Sequence, residues 1–162
     1  IGLVTALAAL AAGCAQVVVT DVQQAKLNIA ARYPGLVPVN VTQEDPVERV
    51  RGLTGGWGAD VVFEASGSIR AFDRILDLPC PGGTLVLIGM PEGKVELDVV
   101  AAQVKELRIE SVFRYANIFP RAVALLASGT IDVKPLISRT FPFERSVEAF
   151  EFAAQGLSLI HI

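Results

Sequence analysis

Val17-Val18-Val19-Thr20-Asp21 is a short β-branched apolar run that ends in one carboxylate. Before it lies an alanine- and leucine-rich stretch, Gly2 to about Ala12, closed by Gly13, and after it a second helical stretch runs from about Val22 to Tyr33. A helix that feeds a buried strand ending in an acid is the second half of a dinucleotide-binding βαβ unit. One helix plus one strand occupies roughly 20 residues after the last glycine of the phosphate loop, and Gly2 to Asp21 is nineteen positions. A carboxylate there accepts hydrogen bonds from the adenosine ribose hydroxyls and repels a 2′-phosphate, which favours NAD over NADP. No arginine among Val22, Gln23 and Gln24 offers that phosphate a partner. The competing reading is a surface aspartate that caps the second helix.

The phosphate-binding signature is a strand followed by G-x-G-x-x-G. Only Ile1-Gly2 can supply its final x-G, so the expectation is a chain that begins inside the motif, without the first strand and the first two glycines.

The elements that would position Asp21 alternate along the chain. The first helix is apolar all round, with Leu3, Val4, Leu7 and Leu10 among alanines, a pattern expected of a helix buried on every side. The second is amphipathic, with Ala25, Leu27, Ile29 and Ala30 inward and Gln24, Lys26, Asn28 and Arg32 outward. Val37 to Val41 reads as an edge strand because it contains Pro38. Asp45-Pro46 opens a helix as N-cap and first position, running to about Thr54. Ala59 to Glu64 reads as a strand, and Ala65-Ser66-Gly67-Ser68 as the turn into a helix through Leu78. Pro79, Pro81, Gly82 and Gly83 suggest a turn, and Thr84 to Ile88 a continuous apolar strand, of the kind found mid-sheet in parallel sheets. Helices near Val99 to Glu106, Phe119 to Ser128 and Arg145 to Gln155 are expected, with strands over Leu107 to Phe113 and Leu136 to Phe141. This alternation predicts an α/β fold with a doubly wound parallel sheet (Rossmann type) that lacks its first strand.

Composition narrows the function classes. The chain has 162 residues, 52% hydrophobic and 19% charged, with mean hydropathy +0.50. That length suits one domain. A net charge of -3 argues against a nucleic-acid partner. Cys14 and Cys80 stand far apart and form no C-x-x-C, so no zinc knot is expected within the chain. Leu10-Ala11-Ala12-Gly13-Cys14 looks like a lipoprotein cleavage box, but Ile1 is no initiator and no Lys or Arg precedes Lys26. The apolar run is also too short to span a membrane, so no membrane partner is expected.

Residues in the second half resemble a known family. Gly82-Gly83-Thr84-Leu85-Val86-Leu87-Ile88-Gly89 and Phe150 in Glu148-Ala149-Phe150-Glu151 are general features of the cofactor domain of zinc-dependent medium-chain alcohol dehydrogenases. Val112-Phe113-Arg114-Tyr115 and Val133-Lys134-Pro135-Leu136-Ile137 are similar to the polyol branch, the sorbitol and xylitol dehydrogenases. The likeness runs from Ile1 to about Gly156, which sets residues 1–156 as the NAD-binding domain and 157–162 as an atypical tail.

The resemblance implies roles. Ile1 and Gly2 would line the pyrophosphate turn. Asp21 would take the adenosine ribose, with Lys26 five positions on reaching the same ribose or nearby phosphate oxygens. Ile88, Gly89 and Met90 would pass backbone along the nicotinamide, where glycine permits close approach. Val112, Phe113 and Arg114 would meet the nicotinamide end from the next strand. Arg114 and Tyr115 would face a polyol, since a planar fork of donors suits vicinal hydroxyls and a phenol donates or accepts. The resemblance implies a cytoplasmic parent, a homo-oligomer of two or four copies. That parent would oxidise a secondary alcohol of a sugar alcohol to a ketose by hydride transfer to NAD, with zinc as Lewis acid.

The zinc ligands of such enzymes lie in another domain, so neither a metal ligand nor a catalytic residue is expected in this chain. His161, its only histidine, reads as an end residue. The tail, Leu157 to Ile162, departs from the family's lysine-bearing final strand. Two alternatives compete. S-adenosylmethionine methyltransferases also end their second strand in an acid, but lack Val112-Phe113-Arg114-Tyr115. A non-catalytic nucleotide-binding member of the same fold, of the zeta-crystallin kind, is the other, because fold does not determine function.

Overall fold

The structure is a computed structural model that describes residues 1–154 and the backbone of Ile160–His161. The expected change of character at residue 157 therefore lies largely outside the described residues. Helix α1 (Gly2–Ala11) ends at Gly13, whose φ of +106° turns the chain toward β1 (Val17–Asp21). Helix α2 (Gln24–Ala30) returns to β2 (Leu36–Asn40). Helix α3 (Pro46–Leu53) is capped by Asp45, whose Oδ1 accepts the Val47 amide at 2.8 Å. Strands β3 (Ala59–Glu64), β4 (Pro79–Leu87) and β5 (Arg108–Ser111) follow, with α4 (Val99–Val104) between the last two. Helix α5 (Phe119–Ala127), β6 (Ile137–Arg139), α6 (Ser146–Ala154) and β7 (Ile160–His161) complete the order.

Every strand pair is parallel. The strands form separate groups, β1-β2, β3-β4-β5 and β6-β7. Val17 pairs with Leu36 and Asp21 with Asn40, so β1 is bonded on one side only. β3 pairs with β4, Val61 opposite Thr84, and is likewise bonded on one side. β4 has partners on both sides, as its unbroken apolar run requires. In the doubly wound order 3-2-1-4-5-6, the place between β1 and β3 belongs to the first strand. Helix α1 spans that place, packing on β1 and touching β3.

The core divides accordingly. One cluster joins Ala6, Leu7, Ala30, Leu36, Ile131 and Leu136. The other joins Phe72, Ile75, Leu76 and Leu85, with Val62 and Leu87 packed against it.

Four sequence expectations are corrected. Helix α1 is not buried all round: Ala6, Leu7 and Ala9 are buried, whereas Val4 is 42% exposed. Leu7 is covered because the segment around Ile131 and Leu136 crosses back over the first half, fastened where the Tyr33 hydroxyl donates to the Asp132 carbonyl at 2.9 Å. In α2, Ala25 faces outward, leaving Leu27 and Ala30 to fill the core. The helix expected through Leu78 is two 3₁₀ turns, Ile69–Phe72 and Ile75–Asp77. Between them Arg74 leaves helical geometry at φ −134°. Its guanidinium reaches Asp45 at 2.6 Å and Asp77 at 3.1 Å while Phe72, Ile75 and Leu76 enter the core. Finally, Pro79 to Gly83 lie inside β4 as an irregularity, because Ala59 pairs with Pro79 but Val61 with Thr84. Gly83 is needed there: a Cβ would lie 2.9 Å from the Cys80 carbonyl oxygen.

The Arg74 guanidinium donates to Asp45 and holds that carboxyl below its usual range, with the Val47 amide adding to the effect. No helix among the described residues is long and apolar enough to cross a membrane.

The isolated 162 residues are expected not to form a stable monomer. Bare edges of β1 and β3 template association. Val4, Val61 and Phe63 remain 42, 41 and 39% exposed. Such side chains are each worth about 1.5–3 kcal/mol when fully buried, against about 5–15 kcal/mol for a whole domain. Size-exclusion chromatography with a thermal melt checks this, and a monodisperse species with a cooperative melt overturns it.

Candidate cofactor-binding crevice

Because the strands run parallel within each group, the carboxyl ends of β3, β4 and β5 point the same way, as do those of β1 and β2. Ligands of open α/β sheets bind outside those ends, where the strand order reverses. Here that point is the unpaired place between β1 and β3. Asp21 ends β1, Ala65 to Ser68 follow β3, Ile88 to Met90 follow β4, and Val112 to Tyr115 follow β5. Gly2 opens α1 beside them: a Cβ built on it would lie 3.7 Å from the Ala65 Cβ. Asp21 and Lys26 thus follow β1 on one group of strands, while Ile88, Gly89, Met90, Val112, Phe113, Arg114 and Tyr115 follow β4 and β5 on the other, with Ile1 and Gly2 at the start of α1.

On the first half, Asp21 is half-buried, and its Oδ1 accepts the Gln23 amide at 2.8 Å. That bond is the turn-forming one of the competing reading, yet it occupies one oxygen. Among the described residues no hydrogen bond reaches Oδ2. Asn40, opposite Asp21 in the register, holds the neighbouring turn. Its amide donates to Gln24 Oε1 at 3.0 Å, and its Oδ1 accepts from the Thr42 amide at 3.0 Å and the Thr42 hydroxyl at 2.7 Å. Lys26 lies half-buried in the first turn of α2. Ile1 is exposed, and its carbonyl accepts the Thr5 amide at 3.0 Å.

On the second half, the organising residue is Glu64, which is 4% exposed. Its Oε1 accepts from the Ser66 amide at 2.8 Å, the Ser66 hydroxyl at 2.5 Å and the Gly67 amide at 3.1 Å. Its carbonyl accepts the amides of Ile88 at 2.8 Å and Gly89 at 2.9 Å. A Cβ on Gly89 would collide with Glu64 Oε2 and with the Gly67 nitrogen. Gly67, at φ +67°, lies so close to Met90 that a Cβ would be 2.8 Å from its carbonyl oxygen. Two crossing loops are therefore locked together at backbone distance.

Beyond Ser111 the ladder continues for one residue, as the Val112 amide donates to the Leu87 carbonyl at 2.9 Å. Phe113 is 70% exposed, with the Arg114 guanidinium 4.9 Å from its ring centre. Tyr115 is 65% exposed and packs edge-on against Phe119 at 4.9 Å. No group of three or more His, Cys, Asp or Glu among the described residues could hold a metal ion.

Sequence reasoning singled out Gly89 but missed Glu64, Ser66 and Gly67. The available signal was a charged residue ending an otherwise apolar strand, followed by Ala-Ser-Gly-Ser. A buried carboxylate needs partners, and that turn supplies them.

The profile of the zinc-binding dehydrogenases matches residues 1–128. A Rhizobium meliloti (strain 1021) protein provisionally named D-xylulose reductase is 54% identical over 156 residues, covering 96% of this chain and 45% of that protein. The sorbitol dehydrogenase of Mus musculus is 40% identical over 162 residues, covering 98% of this chain and 45% of that protein. A solved structure from Sinorhizobium meliloti 1021, provisionally named a zinc-binding dehydrogenase and bound to NADP, superposes with a TM-score of 0.83. It is 29% identical and covers 92% of this chain and 45% of that one. The chain thus spans about half the length of the curated relatives it matches.

Two glycines separate close approach from mere flexibility. A methyl group placed on Gly52 in α3 would meet nothing within 4 Å, so Gly52→Ala is expected to raise the melting temperature by removing about 0.5–1 kcal/mol of helix penalty. Gly89→Ala forces overpacking, which typically costs about 1–3 kcal/mol, and is expected to lower it. Thermal melts of the two variants in a protein of the relatives' length check the contrast.

Proposed function

The chain belongs to the zinc-binding dehydrogenase family, and from that premise we propose that it is the NAD-binding half of a polyol dehydrogenase. The whole protein oxidises a secondary alcohol of a sugar alcohol to a ketose. The observation that carries this reading is the placement of Asp21 on one side of the unpaired place and of the Glu64–Gly89 knot on the other. The relatives named D-xylulose reductase and sorbitol dehydrogenase support the substrate class.

The residues present fit a dinucleotide. Asp21 keeps one carboxylate oxygen for ribose hydroxyls, which favours NAD over NADP. Lys26 lies near enough in sequence and on the same turn to serve that ribose or a phosphate. Ile1 and Gly2, at the start of α1, face the pyrophosphate. Ile88, Gly89 and Met90 present backbone to the nicotinamide, joined by Val112, Phe113 and Arg114. When bound, the oxidised nicotinamide supplies the acceptor for the hydride that leaves the carbinol carbon. Arg114 and Tyr115 bind the polyol hydroxyls and fix which carbon faces the ring. Their present contacts, with Phe113 and Phe119, are between exposed side chains that a substrate can rearrange.

Zinc does not fit this chain, since no ligand cluster exists among the described residues. No step through a metal is assigned to its residues. Residues 1–156 constitute the cofactor domain, and the metal ligands belong to a further domain of a cytoplasmic protein that assembles as two or four copies. Alone, the 162 residues are inactive.

In the whole protein, Asp21→Ala is expected to weaken NAD binding and relax discrimination against NADP by roughly tenfold, the scale of losing about 1.4 kcal/mol. Comparing kcat/KM for the two cofactors checks it, and a wild-type preference for NADP removes the role given to Asp21. Arg114→Ala is expected to raise KM for a polyol far more than for a simple secondary alcohol. Equal rises would make Arg114 a structural or cofactor residue.

A further inference from the structure

We propose that Glu64 is a positioning residue that sets the backbone of Ile88 to Met90 at the nicotinamide end of the site. The proposal rests on the cofactor reading above and goes beyond it, because that reading gives the Glu64 side chain no role of its own.

Glu64 ends β3, next to the unpaired place, and is 4% exposed. A buried carboxylate is costly unless its oxygens accept hydrogen bonds. Both do so here. Oε1 takes Ser66 N, Ser66 Oγ and Gly67 N, and Oε2 takes Gly67 N at 3.3 Å. These bonds curl residues 66 and 67 into a turn whose backbone lies against Met90. Oε2 also fills the space beside Gly89 that any side chain would need. The Glu64 carbonyl, at the same time, receives the Ile88 and Gly89 amides. One residue therefore clamps the loop after β4 from two directions, through its main chain and through its side chain.

All the donors aimed at the side chain are N–H or O–H groups, so the site accepts a group that offers only acceptors. A glutamine of the same shape fits poorly. With its NH₂ at the Oε1 place it faces three donors, and with its NH₂ at the Oε2 place it keeps those three bonds but sets the NH₂ against the Gly67 amide, donor against donor. The turn at 66 and 67 then releases Met90, and the loop loses its fixed distance to the nicotinamide. The adenosine end, built on β1 and α2, belongs to the other core cluster and keeps its shape.

The test uses the full-length dehydrogenase and two probes, NADH and ADP-ribose, the second lacking the nicotinamide. Glu64→Gln is expected to weaken NADH at least tenfold while ADP-ribose stays within twofold. KM for NAD rises, and KM for the polyol at saturating NAD holds. Glu64→Gln that folds and binds NADH within twofold of wild type overturns the proposal. An equal loss for both probes also overturns it, because that is what a general structural role produces. If Glu64→Gln does not fold, Ser66→Ala removes the hydroxyl donor and leaves both amides. It is expected to weaken NADH about threefold with ADP-ribose unchanged, and unchanged NADH binding overturns the proposal. Wild-type protein that binds neither probe overturns the cofactor reading instead.

Discussion

A backbone N–H or C=O buried without a partner is costly, and the structure is shaped by where its strands lack them. β1 and β3 are each bonded on one side, and their free sides flank a place that no described strand occupies. Helix α1 contacts both strands. Everything else follows from that division. The apolar side chains form two clusters, one on each half, with Leu27 and Leu36 buried in the first half and Leu85 in the second. The chain after α5 crosses back to the first half, where the Tyr33 hydroxyl donates to the Asp132 carbonyl. The Asp45–Arg74 pair adds a link between α3 and the turns that follow β3.

The same division makes the crevice. At the carboxyl ends, one half contributes a single acid held by one hydrogen bond. The other contributes a loop pair with no room for a methyl group. In the proposed function the first is a charge that selects among ligands, and the second a shape that admits a flat group against bare backbone. A dinucleotide has both requirements, one at each end. The NADP-bound structure from Sinorhizobium meliloti 1021 has the same fold at 29% identity. That structure holds NADP, whereas the preference for NAD proposed for this chain rests on Asp21.

How much of this was legible in the sequence depended on range. Local signals held: Asp45-Pro46 capped its helix, Ala59 to Glu64 formed a strand with those bounds, and the doubly apolar run at Thr84 lay mid-sheet. Pro38 marked a strand paired on one side. Signals that depend on distant partners were lost. Leu7 is buried by Ile131 and Leu136, more than a hundred residues away. Arg74 breaks its helix in favour of Asp45, which no periodicity reports. Glu64 read as the polar end of a strand because its donors, at Ser66 and Gly67, make sense only once Gly89 is known to press against them. Which residues follow the carboxyl end of each strand was legible, since the strand bounds give it. What holds them at that spacing was not.

One parallel strand in the place between β1 and β3 would join the two groups of strands into a single sheet. The direct test is to fuse a six-residue β-branched strand and a Gly-x-Gly-x turn ahead of Ile1, then measure association state and NADH binding together by sedimentation with absorbance detection. The expected result is a discrete species of one defined size that carries NADH. An extended chain that still aggregates, or that is discrete yet leaves NADH behind, is the opposite result.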